Sequence, residues 1–173
     1  MLLRMIRQWI AAGMMACFPF FLPAQNSGHP IQEKAAMHQV SGSFDVKIEP
    51  QKADNPPARE SELGRMSIDK QFHGDLEAVS KGEMLSFMNR EVGSGGYVAL
   101  EKVTGTLSGH TGSFVLQHNA TMNHGAPELN IIVVPGSGTG ELTGLTGTMK
   151  IRIESGKHFY DFDYTLPDAA ASQ

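Results

Sequence analysis

Cysteine occurs once in the 173 residues, as Cys17, and tryptophan once, as Trp9. Both fall within the first 24 residues. The chain from Gln25 onward therefore has no thiol nucleophile, no redox pair, no disulfide and no thiolate metal site. Charge is sparse at 18%, and an excess of basic residues is absent: 14 Lys and Arg stand against 18 Asp and Glu, a net charge of −4. A domain of that sign is no electrostatic trap for nucleic acid or anionic lipid, so neither is an expected partner. The HExxH spacing of a zinc protease and the GxSxG elbow of a serine hydrolase are both missing. No cofactor is implied. What remains is ordinary for a globular chain: 40% hydrophobic residues, 8% aromatic, and a mean hydropathy of −0.20.

The first 24 residues read as a signal peptide. Arg4 and Arg7 give a basic start, Trp9 to Leu22 carries no charge, and Ala24 is a small residue suited to the cleavage position. The apolar run is shorter than the roughly 20 residues a spanning helix needs, and Pro19 and Pro23 interrupt it. Cleavage after Ala24 would leave 12 basic and 18 acidic residues, a net charge of −6. The expectation is a periplasmic or secreted protein with no membrane contact after cleavage. The alternatives are an uncleaved N-terminal anchor and a lipidated Cys17. Residues 25–37 read as a linker, 38–167 as one domain, and 168–173 as a flexible tail. Within the domain, the polar stretch Gln51 to Glu62 carries Pro56-Pro57 and reads as a long solvated loop.

The domain alternates with period two. Val40, Gly42, Phe44, Val46 and Ile48 share one parity, with Ser41, Ser43, Asp45 and Lys47 on the other. The same pattern runs through Met66 to Phe72, Phe114 to Met122, Met149 to Ile153 and His158 to Tyr164. Further strands are expected at 77–90, 96–107 and 129–134. No window carries an amphipathic helix. Leu107 to Leu116 and Leu142 to Ile151 echo each other at an offset of 35 residues, each reading polar residue, Gly, two residues, Gly, strand. Gly109, Gly112, Gly144 and Gly147 can take the positive φ of tight hairpins, which suggests two similar corners in an antiparallel meander. A meander of roughly eight strands with one apolar face hides its edges by closing into a barrel; periodicity alone also allows a two-sheet sandwich.

Several segments resemble, in order, a bacterial family known only as a domain of unknown function. They are Leu63 to Leu76 with Gly82 to Leu85, Gly96 to Glu101, Gly112 to His118, Pro135 to Gly140 and His158 to Tyr164. The resemblance covers roughly residues 38–167. It implies an all-β domain, the small antiparallel allene-oxide-cyclase-like barrel of eight strands. The secretory N-terminus and the proline-rich loop at 51–62 depart from the family pattern. The family carries no established activity, and likeness of barrel to a plant cyclase is an analogy of fold rather than of chemistry.

Most motifs carry no chemistry. Pro135 to Gly140 resembles a phosphate-binding glycine loop, but a β-type segment follows it where a helix is needed, so it reads as a strand connection. The histidines after the signal are His29, His38, His73, His110, His118, His124 and His158, without the tight spacing of metal ligands, so no metal site is expected. Asn119-Ala-Thr121 reads as a polar strand face rather than a glycosylation site.

The anomaly is polar residues at apolar parity. Lys70 lies between Ile68 and Phe72, His118 between Leu116 and Ala120, and Glu101 shares parity with Tyr97, Ala99 and Val103. Tyr160 and Tyr164 share the parity of Phe162. These five, Lys70, Glu101, His118, Tyr160 and Tyr164, are the candidate lumen residues. A buried charge requires a partner, so Lys70 and Glu101 are expected to pair. Three readings follow: an ion pair that fixes strand register, a pocket with oriented polar groups, or proton transfer by Glu101 or His118. The expected function is a barrel that holds a small apolar ligand or serves as an assembly module, including a homo-oligomer. The alternative is a cyclase or isomerase acting on an apolar substrate in the lumen.

Overall fold

Alternating segments joined by short turns give strands wherever the sequence predicts them. The structure, a computed structural model, describes residues 36–167. The signal, the linker up to residue 35 and the tail at 168–173 lie outside the described residues. The strands are β1 (Met37–Pro50), β2 (Gly64–Gly74), β3 (Leu76–Asn89), β4 (Ser94–Leu107), β5 (His110–Asn123), β6 (Ala126–Val133), the two-residue β7 (Thr139–Gly140), β8 (Thr146–Glu154) and β9 (Lys157–Thr165).

Every adjacent pairing is antiparallel, in the order β4-β3-β2-β1-β9-β8-β6-β5-β7, and β4 also pairs with β5. That last pairing closes the eight long strands into a barrel, with β7 pairing further along the same edge of β5 that β6 uses. A sandwich is thereby excluded. The hairpins at Ser108-Gly109, His124-Gly125 and Ser155-Gly156 each place two consecutive residues at positive φ, the turn that matches strand twist.

Three local features differ from the sequence reading. Residues Pro56–Glu60 of the 51–62 loop form a short helix, α1, with the Asn55 side chain capping the Ala58 amide at 3.0 Å. Proline fits the first turn of a helix, so the residues that forbid strand pairing are compatible with this turn. Met37, placed in the linker by sequence, already pairs with Thr165 in the barrel wall. The two echoing glycine segments are not equivalent corners. The first joins β4 to β5 as a hairpin, whereas the second carries Leu142 and Leu145 into the barrel end before entering β8. Gly109 and Gly144 have positive φ, but Gly112 and Gly147 sit in strands, where a Cβ would strike the carbonyl oxygens of Thr139 and Asp163.

The two ends of the barrel are unlike. At the end holding the β2–β3 and β4–β5 turns, Leu76, Leu107, Phe114, Leu142, Leu145 and Phe162 fill the lumen completely. At the other end, which holds α1 and the β3–β4, β5–β6 and β8–β9 turns, inward parity no longer means burial. Ile48, Met122, Leu129 and Ile153 continue the inward rows, yet are between 36% and 66% exposed. Met66, Met84 and Tyr97 on the same rows are half-buried. The barrel is a cup with one packed end and one open, apolar mouth.

Candidate functional site

Register determines what lies at the floor of the cup. On the inward face of the wall, Lys70 of β2 stands opposite Ser80 of β3, and Glu101 of β4 stands opposite Gly82 of β3. His118 of β5 stands opposite Ala99, one inward step from Glu101. Diagonal neighbours on adjacent strands are within reach of long side chains. The Lys70 ammonium reaches Glu101 Oε1 at 2.7 Å, His118 Nε2 reaches the same oxygen at 2.9 Å, and the Ser80 hydroxyl donates to Glu101 Oε2 at 2.9 Å. An ionised carboxylate only accepts, so Nε2 carries the proton on His118. Lys70, Glu101 and His118 are only 5%, 1% and 3% exposed.

Glycine at position 82 makes this approach feasible. A Cβ there would lie 2.3 Å from the Leu100 carbonyl oxygen and 2.6 Å from the Glu101 Cβ. The bare backbone of β3 lets the Glu101 stem cross it toward Lys70.

Burial acts on the Glu101 carboxyl by raising its pKa, and that is the largest single influence. The bond from His118 and the positive charge of Lys70 together outweigh it, bringing the value from 4.5 to about 2. Such a carboxylate is a weak base, with both of its oxygens already accepting hydrogen bonds. Tyr97, on the same inward row, has its pKa raised by burial and by the Glu101 charge.

Two groups retain free valence. Lys70 has three N–H donors and, among the described residues, one hydrogen-bond acceptor, Glu101. Its ammonium otherwise faces the rings of Phe44 and Phe72, 5.1 and 5.6 Å from their centroids. His118 Nδ1 has no hydrogen-bond partner among the described residues. No fully buried side-chain polar atom there lacks one, so this nitrogen is within reach of solvent. Across β1 from Lys70 the wall also parts. The β1–β9 pairing ends at Phe44 and His158 while β1 runs on to Pro50. A cleft of about 470 Å³ opens there, lined by Ser43, Phe44, Asp45, Val46, Lys157 and His158. Val46 is the cross-strand neighbour of Lys70.

Tyr160 and Tyr164 also point into the barrel but do not join this group. Tyr160 lies in the packed end, where its hydroxyl accepts from the Leu76 amide at 3.0 Å and donates to the His73 carbonyl at 3.2 Å. Tyr164 bonds the Ser108 hydroxyl at 3.1 Å, at the β4–β5 turn. Both serve to close that end. Sequence reasoning overlooked Ser80, and quoted Gly82 in the family resemblance without a place at the site, because both roles arise from register. Among the described residues, no group of three or more His, Asp or Glu is arranged to hold a metal ion.

Fold and site together define a half-filled antiparallel barrel with a balanced ionic floor, a class compatible with many activities. Residues 40–164 match the family model described as a protein of unknown function, DUF3224, and the chain belongs to that family. A crystal structure of a protein of unknown function from the same family, from Shewanella oneidensis, is 51% identical. The match covers 76% of this chain and 99% of that one, with a TM-score of 0.69. Among curated proteins, none matches the chain.

Proposed function

We propose that this protein binds a small apolar molecule in the open half of its barrel. The observation that carries the reading is the mouth: Ile48, Met122, Leu129 and Ile153 face inward and are still solvent-accessible. Inward apolar residues that stay accessible at one end of a barrel are what a binding cavity requires. The cleft beside Phe44 and Val46 is of a size that suits a small ligand. A cyclase or isomerase reading draws less support, because Glu101 is already engaged by three donors.

Native mass spectrometry of the purified protein tests the proposal directly. The expected result is a bound species released on unfolding, or, for protein stripped of ligand, saturable fluorescence of N-phenyl-1-naphthylamine. A protein free of ligand that also fails to bind the probe would refute it.

We also infer export to the periplasm or outside the cell, supported by Arg4, Arg7, the uncharged Trp9–Leu22 segment and Ala24. Intact-mass measurement on cell fractions decides between a chain starting near Gln25, an intact membrane-associated chain and one acylated at Cys17.

A further inference from the structure

Resting on the ligand-binding reading above, the geometry points to the chemical class of ligand: we infer that the cup selects an apolar molecule carrying a neutral carbonyl, whose oxygen accepts a hydrogen bond from Lys70.

The floor of the cup holds unused donors. Lys70 is 5% exposed, donates to a single described acceptor, and lies at the floor of the cup behind Phe44 and Val46, which line the cleft. A buried ammonium with spare N–H groups favours an added acceptor, because its unused donors have lost water. Glu101 already accepts from Lys70, His118 and Ser80, which take three of the roughly four acceptor sites of a carboxylate.

Charge then selects among acceptors. The charges of Lys70 and Glu101 cancel. A carboxylate or phosphate head would introduce a second anion beside the buried Glu101, and Lys157, the cation that lines the cleft, is exposed on the outward parity of β9 and stays in solvent. A ketone, ester or lactone oxygen supplies the acceptor without that charge. Ile68, Met66, Met84 and the Phe44 ring offer apolar contact to the rest of the molecule, beside the half-buried phenol of Tyr97.

The test is displacement of N-phenyl-1-naphthylamine from the full protein by three eight-carbon compounds: 2-octanone, octane and octanoate. The expected result is that 2-octanone displaces the probe at a concentration on the order of tenfold below octane, the equivalent of one net hydrogen bond, and below octanoate as well. The infrared carbonyl band of bound 2-octanone should lie at lower wavenumber than in hexane. Because Lys70→Met alone strands Glu101, the variant used is Lys70→Met with Glu101→Gln. In it the preference for ketone over octane and the band shift should both vanish, while Tyr160→Phe, in the packed end, keeps both. Equal displacement by 2-octanone and octane would overturn the carbonyl assignment and leave the apolar cup standing. Stronger displacement by octanoate would overturn it in favour of an anionic head. Absence of probe binding would remove the cup itself.

Discussion

Lys70 and His118, which belong to β2 and β5, bond the same oxygen of Glu101, at 2.7 and 2.9 Å. One carboxylate thus joins three strands from the inside, with Ser80 of β3 on its other oxygen. Removing a single member strands the rest. Lys70→Met leaves Glu101 as an uncompensated buried charge, and the expected loss of stability is roughly 3–5 kcal/mol. The double variant with Glu101→Gln removes both charges and keeps an acceptor for His118, so it should lose less than the sum of the single variants. Urea denaturation of the four proteins gives the coupling energy. An additive result would mean the two side chains do not interact.

Acid should weaken the protein through the same carboxylate. Its folded pKa is about 2 against an ordinary 4.5. A depressed carboxyl pKa contributes its stability in full above the unfolded value, and loses it as pH falls toward the folded one. The loss therefore falls between about pH 4.5 and 2, and the difference is on the order of 3 kcal/mol. Stability measured across that range should decline more steeply for the native protein than for Glu101→Gln. Parallel curves would show that other carboxylates dominate acid unfolding.

Gly82→Ala should be disruptive despite adding one methyl group. The new Cβ would meet backbone, the Leu100 carbonyl oxygen at 2.3 Å, which cannot rotate away. The expected loss is about 3 kcal/mol, at the upper end for overpacking. Gly109→Ala is the control. Nothing lies within 4 Å of its Cβ, and only its positive φ opposes the change, at about 1 kcal/mol. Chemical denaturation should rank the two variants in that order.

Tyr160→Phe should separate stability from binding. It deprives the buried Leu76 amide of its acceptor, at roughly 1–3 kcal/mol. Affinity for an apolar probe should stay at the native level, because Tyr160 lies in the packed end. A matched loss of affinity would indicate that the two ends are coupled.

Alternation made the barrel wall legible in the sequence, and parity alone turned Lys70, Glu101 and His118 inward. Parity says nothing about height along the barrel axis, which depends on register between strands. That is why Tyr160 and Tyr164 shared a face with the ionic group on paper and lie at the opposite end in the structure. The roles of Ser80 and Gly82 were invisible for a related reason. Serine and glycine are unremarked in any strand, and their importance arises only because β3 runs between Lys70 and Glu101. The helix at Pro56–Glu60 has no buried face, so it left no periodic trace. The echo of Leu107–Leu116 in Leu142–Ile151 misled in the opposite way, since equal glycine spacing serves a hairpin in one place and a plug in the other.

The ionic floor and the closure of the barrel belong to different moments of folding. Lys70, Ser80, Glu101 and His118 lie on β2 to β5, a run of consecutive hairpins whose contacts are near in sequence. The seam between β1 and β9 instead joins Met37 to Thr165, almost the full length of the described chain. A chain made or threaded from its N-terminus can therefore set its charged residues in place while the ring is still an open curved sheet. β1 must wait as a free edge until β9 arrives, and loop-closure entropy makes that late step the slow one.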